Sequence, residues 1–200
     1  VAITPEQVKH LRERSGAGIM DCKRALEQCD GDVARAVEHL REQGILRAAH
    51  RESRPTAEGV VESYVHAGGK IGVLVEVNCE TDFVARTPEL RSLAHEVAMQ
   101  IAAQHPRYLS REEVPPAVRD KELEIYRAQS VREGKPEKIL DKIAAGKLEK
   151  YFQEFCLLEQ PFIRDPDRTI EDLRKEVAVK TGENVRIRRF ARFQLGEAEE

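Results

Sequence analysis

The sequence predicts an α+β protein. A three-helix unit comes first, then a core in which helices pack on a small antiparallel sheet of three strands. Three observations carry that prediction. Helix caps and a turn divide residues 1–44 into short helices. Apolar residues alternate from Ile71 to Cys79, as in a half-buried strand. From Pro88 onward, long segments carry aliphatic residues at helical spacing before a strand pattern returns near the end.

The first helix opens with Thr4 as N-cap, Pro5 at the first helical position and Gln7 in the capping-box place, with Val8 and Leu11 as its inner stripe. Gly16 and Gly18 break the chain, and a second helix around residues 21–28 carries Ala25 and Leu26. The Asp30-Gly31-Asp32 turn then supplies Asp32 as the next N-cap. The third helix buries Val33, Ala36, Val37 and Leu40, and Gly44 is expected to end it. So small a unit has little room for a catalytic cleft and reads as a docking module.

Residues 45–57, with Arg47, His50, Arg51, Arg54 and Pro55, read as a linker that starts helical. The core then fills residues 58–200. Residues 58–66 and 70–79 form a hairpin around Ala67-Gly68-Gly69, burying Ile71, Val73, Val75, Val77 and Cys79. Thr87 and Pro88 open a helix whose inner side is Leu90, Leu93, Ala94, Val97, Ala98, Ile101 and Ala102, ended by His105-Pro106. Between about residues 118 and 160, Gly134, Pro136 and Gly146 punctuate three helical stretches whose dense charge suits helices projecting into solvent. Leu123, Tyr126, Ile139, Ile143, Leu148, Phe152 and Phe155 form the expected seam between them. Thr169 caps a helix that ends near Gly182. In the strand from Val185 to Leu195, Val185, Ile187, Ala191, Phe193 and Leu195 share a face, and Arg189 interrupts the series, by a bulge or because both faces are partly covered.

Composition bounds the function. In 200 residues, 40% are apolar and 34% charged, with no Trp, so the core is aliphatic. The net charge is -3, without the basic excess that phosphate-neutralising proteins show, which disfavours direct nucleic-acid binding. No stretch is long and apolar enough to span a bilayer, so an aqueous, cytoplasmic setting without membrane contact is expected. Cys22, Cys29, Cys79 and Cys156 lack CxxC spacing and read as reduced, mostly buried thiols.

Catalytic signatures fail residue by residue. Gly146-Lys147 has Asp141 where a phosphate loop needs its first glycine and Leu148 where it needs a hydroxyl. His95-Glu96 meets Met99 where a zinc-binding helix needs its second histidine. Gly16-Ala17-Gly18 follows no strand, and Asp21 replaces the third glycine of a dinucleotide loop. No catalytic residue, metal site or cofactor site is therefore expected. Arg186, Arg188, Arg189 and Arg192 interleave with Phe190 and Phe193 as an RNA-stacking strand would, though edge-strand solubility and local ion pairs explain them better. At the hairpin's exit, Asn78 to Arg86 sets Asp82 beside Phe83. Composition alone makes Thr81 or Asp82 a turn cap and Phe83 a core residue.

Four segments resemble the elongation factor Ts family, the guanine-nucleotide exchange factors of elongation factor Tu. They are residues 11–26 (LRERSGAGIMDCKRAL), 78–86 (NCETDFVAR), 157–162 (LLEQPF) and 188–190 (RRF), spread over nearly the whole chain. The resemblance implies a ubiquitin-associated-like N-terminal domain, a dimerisation-type core with a protruding helical hairpin, and a short form that pairs into homodimers. It implies further that Asp82 and Phe83, flanked by Thr81 and Val84, intrude near the Mg²⁺ site of elongation factor Tu with its bound GDP or GTP. Val8, Leu11, Arg12, Gly16, Ala17, Gly18, Ile19 and Met20 would then dock on the same partner domain. Two other readings compete: an RNA-binding regulator, and an adaptor whose three helices grip a ubiquitin-like partner.

Overall fold

The computed structural model describes residues 3–15, 17, 19–51 and 54–197. Three helices lead: α1 (Pro5–Ser15), α2 (Ile19–Gln28) and α3 (Val33–Arg51). The capping box of α1 forms, with the Gln7 amide donating to Thr4 Oγ1 (3.3 Å) and the Thr4 amide to Gln7 Oε1 (2.9 Å). Asp32 Oδ1 likewise accepts the amides of Ala34 and Arg35 at the start of α3. Leu11, Cys22, Ala25, Leu26, Cys29 and Ala36 fill a core of their own, with Val8, Val33, Val37 and Leu40 half-buried around it. Gly44 does not end α3, which runs to Arg51. A glycine inside a helix costs only about 1 kcal/mol relative to alanine, and the turns on either side offset that.

The second unit is built on strands β1 (Glu58–Val65) and β2 (Ile71–Cys79), the last strand Arg186–Gln194 lying antiparallel on the free side of β2. Gly59 pairs with Asn78 at φ +151°, where an added Cβ would overlap the Val77 carbonyl oxygen, so only glycine lets β1 approach so closely. Short helix α4 (Asp82–Ala85) follows β2, and α5 (Pro88–Gln104) then lays Leu90, Leu93, Ala94, Val97, Ala98 and Ile101 against Val73, Val75, Val77 and Cys79. Each large aliphatic side chain withdrawn from water there contributes about 1.5–3 kcal/mol. His105 closes α5 in the left-handed region.

Helices α6 (Pro116–Arg132) and α7 (Leu140–Phe155) form the hairpin. Its turn uses Gly134 at φ +69°, but Gly146 lies inside α7, so two α-helices stand where three were expected. Leu148 and Phe152 are buried in the seam, with Leu123, Tyr126, Ile143 and Phe155 half-buried; Ile139 lies at the tip, 41% exposed. A two-stranded sheet, β3 (Pro161–Phe162) with β4 (Asp165–Thr169), is absent from the sequence reading because both strands are short and unpatterned. Buried Gln100 ties it to α5, donating to Gln160 Oε1 and the Pro161 carbonyl (3.1 Å each) and accepting from the Ile163 amide (2.9 Å). Helix α8 (Ile170–Thr181) has the full Thr169–Asp172 capping box and ends at Gly182.

The final strand, β5 (Arg186–Gln194), settles the interrupted pattern. Glu76 faces Arg189 while Val77 faces Ile187, so Arg188 is the extra residue of a bulge. Beyond it the faces exchange. Phe190 packs on the core, whereas Ala191 and Phe193, expected on the inner face, point outward with Phe193 70% exposed.

Candidate functional site

Among the described residues, the β2–α4 junction carries the most exposed large apolar side chain. Strand β2 ends at Cys79, and Thr81 caps α4 by accepting the Val84 amide at 3.4 Å. Val84 and Ala85 turn inward and are buried, which forces the first two residues of the turn outward. Phe83 is 81% exposed, so its expected place in the core is corrected. Asp82 lies beside it, ion-paired with Arg86 at 2.6 Å, both side chains more than half exposed. Thr87 caps the following helix while its hydroxyl donates to the Val84 carbonyl (2.8 Å). A solvent-facing phenylalanine is thus presented on a turn anchored at both ends.

Residues that sequence reasoning missed strap the foot of this tip. Glu183 Oε2 accepts the amides of Glu80 and Thr81 (3.0 Å each), and Glu183 Oε1 accepts the Thr81 hydroxyl (2.6 Å). Glu80 Oε1 accepts the Asn184 amide in return (2.6 Å), and Glu80 also meets Arg54 at 3.4 Å. Below them the Cys79 thiol donates to the Thr81 carbonyl (3.2 Å). Burial, and then the Glu183 charge, push that thiol up to about 11, so it stays protonated and keeps donating. Glu183 and Thr81 are 102 positions apart, so no local pattern announces the contact.

The structure brings Thr81, Asp82, Phe83 and Val84 together on one turn, Val84 as its buried anchor. The N-terminal candidates form a separate group. Ile19 and Met20 are 56% and 64% exposed at the start of α2, and Arg12 is exposed on α1. Leu11 is fully buried, so it supports that surface from beneath, as half-buried Val8 and Ala17 partly do. Gly16 and Gly18 lie outside the described residues.

A second surface covers the outer side of the sheet. Val61, Val65, Leu74 and Phe193 are all exposed there, with Ser63, Leu74 and Ala191 opposite one another across the three strands. Glu76 sits among them, its carboxyl held below the usual range first by the Arg189 hydrogen bond (2.7 Å). Arg188 pairs with Glu76 and Arg192 with Glu197, so these strand arginines have local partners.

A groove of about 470 Å³ between α5 and α8 is crossed by Arg164–Glu96 (2.6 Å) and Arg168–Glu176 (2.7 Å), which leaves its charges largely paired. Among the described residues no group of three or more His, Cys, Asp or Glu side chains is placed to hold a metal ion, and no helix is long and apolar enough to cross a membrane.

Comparison with known proteins decides what kind of protein presents such a tip. A family model described as Elongation factor TS matches residues 7–197. The chain belongs to the elongation factor Ts family. It is 58% identical to Elongation factor Ts of Carboxydothermus hydrogenoformans over 195 residues, covering 98% of this chain and 90% of that one. It is 57% identical to Elongation factor Ts of Heliobacterium modesticaldum (98% and 91% covered) and 56% identical to that of Moorella thermoacetica (98% and 96% covered). Elongation factor Ts membership thus extends across both units and includes the exposed turn at 81–84.

Proposed function

We propose that this chain is a cytoplasmic translation elongation factor that serves as guanine-nucleotide exchange factor for elongation factor Tu. Family membership names the class, and one observation supports the mechanism: Phe83 stands exposed beside Asp82 on a strapped turn. A folded protein gains nothing from leaving a phenylalanine in water, and a partner that receives the ring recovers its full burial.

In this reading Phe83 inserts between helices of the partner's nucleotide domain, near the Mg²⁺ held there with GDP or GTP. Mg²⁺ requires near-octahedral oxygen coordination and offsets the charge of the phosphates. Displacing the groups around that ion weakens both its hold and the nucleotide's. Asp82 is suited to this work because its present partner is a surface ion pair with Arg86, worth only about 0.2–1 kcal/mol, so the carboxylate is released cheaply. The exposed residues of the N-terminal unit, Arg12, Ile19 and Met20, supply further contact that stabilises the opened partner. Linkage makes the effect reciprocal: whatever factor by which this chain weakens nucleotide binding, nucleotide weakens binding of the chain. No covalent bond is made or broken.

The outer sheet face is assigned to a second copy of the chain. It offers exposed Val61, Val65, Leu74 and Phe193 around an already paired Glu76–Arg189, so a two-fold contact can bury the same apolar patch on both protomers with no charge left unpaired there.

Stopped-flow release of a fluorescent GDP analogue from elongation factor Tu tests the exchange reading. Addition of the chain accelerates release; an unchanged rate over a wide range of chain concentration ends the proposal.

A further inference from the structure

We infer that Glu183, in the loop between α8 and β5, is the positioning residue of the tip. Its carboxylate fixes the backbone at residues 80 and 81 so that Asp82 and Phe83 are presented in one orientation. The inference deepens the exchange reading and rests on it.

Helix α4 is a single turn, and an isolated turn fixes several backbone angles for too few hydrogen bonds to persist by itself. Val84 and Ala85 anchor its inner side by burial, and the backbone before them, at the junction of residues 80 and 81, is held by hydrogen bonds instead. At that junction the amides of Glu80 and Thr81 lie past the last β2 residue and have no strand partner there. Both donate to one oxygen of Glu183, 3.0 Å away. The second oxygen accepts a hydrogen bond from the Thr81 hydroxyl (2.6 Å), which leaves the hydroxyl oxygen's lone pairs for the Val84 amide. One carboxylate therefore sets two peptide planes and the rotamer of the cap.

The clamp is itself held. Gly182, at φ +76°, turns the chain out of α8 and directs Glu183 to the end of β2. Next along, buried Asn184 donates its amide to Glu80 Oε1 (2.6 Å) and its side chain to the Arg54 carbonyl (3.0 Å). The two strand ends thus exchange carboxylate–amide bonds in both directions, and neither rotates without breaking the other's. For a group that must meet a metal-supported site, such fixity matters, since a misplacement of about 1 Å can cost about 100-fold in rate.

Glu183→Ala and Glu183→Gln in the full chain separate positioning from simple support. Release of fluorescent GDP from elongation factor Tu is measured against chain concentration, and amide hydrogen exchange is followed at Thr81 and Val84, with Val75 and Val77 as internal controls. Glu183→Ala is expected to lower the maximal release rate by roughly 10- to 100-fold, with the half-saturating concentration little changed. Protection is lost at Thr81 and Val84 and kept at Val75 and Val77. Glu183→Gln retains an oxygen for the two amides and restores most of the rate. A Glu183→Ala protein with the wild-type maximum overturns the inference, as does equal loss in both variants or loss of protection along all of β2. Should the unmutated chain fail to accelerate release, the exchange reading falls, and protection at Thr81 and Val84 still decides whether Glu183 holds the tip.

Discussion

Phe83 and Phe193 are both strongly exposed, yet their settings have almost nothing in common. Phe83 stands on a one-turn helix with charged neighbours and a foot tied by Glu183, Glu80 and Thr87. Phe193 lies on the outer face of a sheet, with Val61, Val65 and Leu74 exposed on the same side. A lone aromatic on a rigid mount suits insertion into a partner's groove, where orientation decides the outcome. An apolar sheet face suits broad coverage, where area decides it. The molecule separates the two tasks: β2 contributes Leu74 to the face along its length and delivers the tip from its end.

The hardest test of that division removes the tip alone. Asp82→Ala with Phe83→Ala should lower the maximal rate of GDP release by about 100-fold or more, the scale of losing an interfacial hot spot. Thermal unfolding should hardly move, because both side chains are exposed and surface changes usually stay within about 0.5 kcal/mol. Self-association should be untouched. A double variant that exchanges normally would break the assignment of the tip even though family membership stands.

Charging the face gives the complementary result. Leu74→Asp or Phe193→Asp should weaken self-association at least tenfold by sedimentation, since a buried unpaired carboxylate costs several kcal/mol. Monomer stability should stay nearly constant, and so should protection of the Thr81 amide. If either variant remains as associated as the parent, the outer face is not where copies meet.

These two regions were also unequally legible in sequence. The hairpin, α5 and α8 followed from alternation, helical spacing and capping boxes, because those signals are local. The face expected for β5 was wrong beyond Arg188, since one extra residue inverts every later side chain and only the pairing with Glu76 and Val77 reveals it. Phe83 read as core on composition and became a site candidate only through the surrounding family motif. Its exposure depends on Val84 and Ala85 taking the inward positions of α4, which the sequence of the turn does not settle. Glu183 left no trace, because its role comes from a contact between segments more than a hundred residues apart. Gly44 and Gly146 mark the opposite error: each is a helix breaker by type, yet both sit inside helices whose flanking turns are stable without them.

Beneath the tip, Cys79 couples the mount to pH. Its thiol is buried against Val77 and its neighbours and is raised from an ordinary value near 9 to about 11, burial being the first cause. A group whose folded value is raised in this way favours folding while it is neutral. That contribution is complete below pH 9 and is lost as pH climbs from about 9 to 11. The unfolding free energy from urea titrations should therefore fall by roughly 1–2 kcal/mol over this window through Cys79, Cys156 adding its own loss from the same pH 9 onward and continuing past the window because its thiol is pushed up to about 12. Cys79→Ala should remove the Cys79 share of the decline between pH 9 and 11 and leave the Cys156 share, with the sheet face's self-association as it was. Ionising the thiol removes its donation to the Thr81 carbonyl, so amide protection at Thr81 should fall earlier along the same titration than protection at Val65 or Leu74. If tip and sheet lose protection together, the foot of the tip is no separate mount, and Phe83 and Phe193 belong to one cooperative surface.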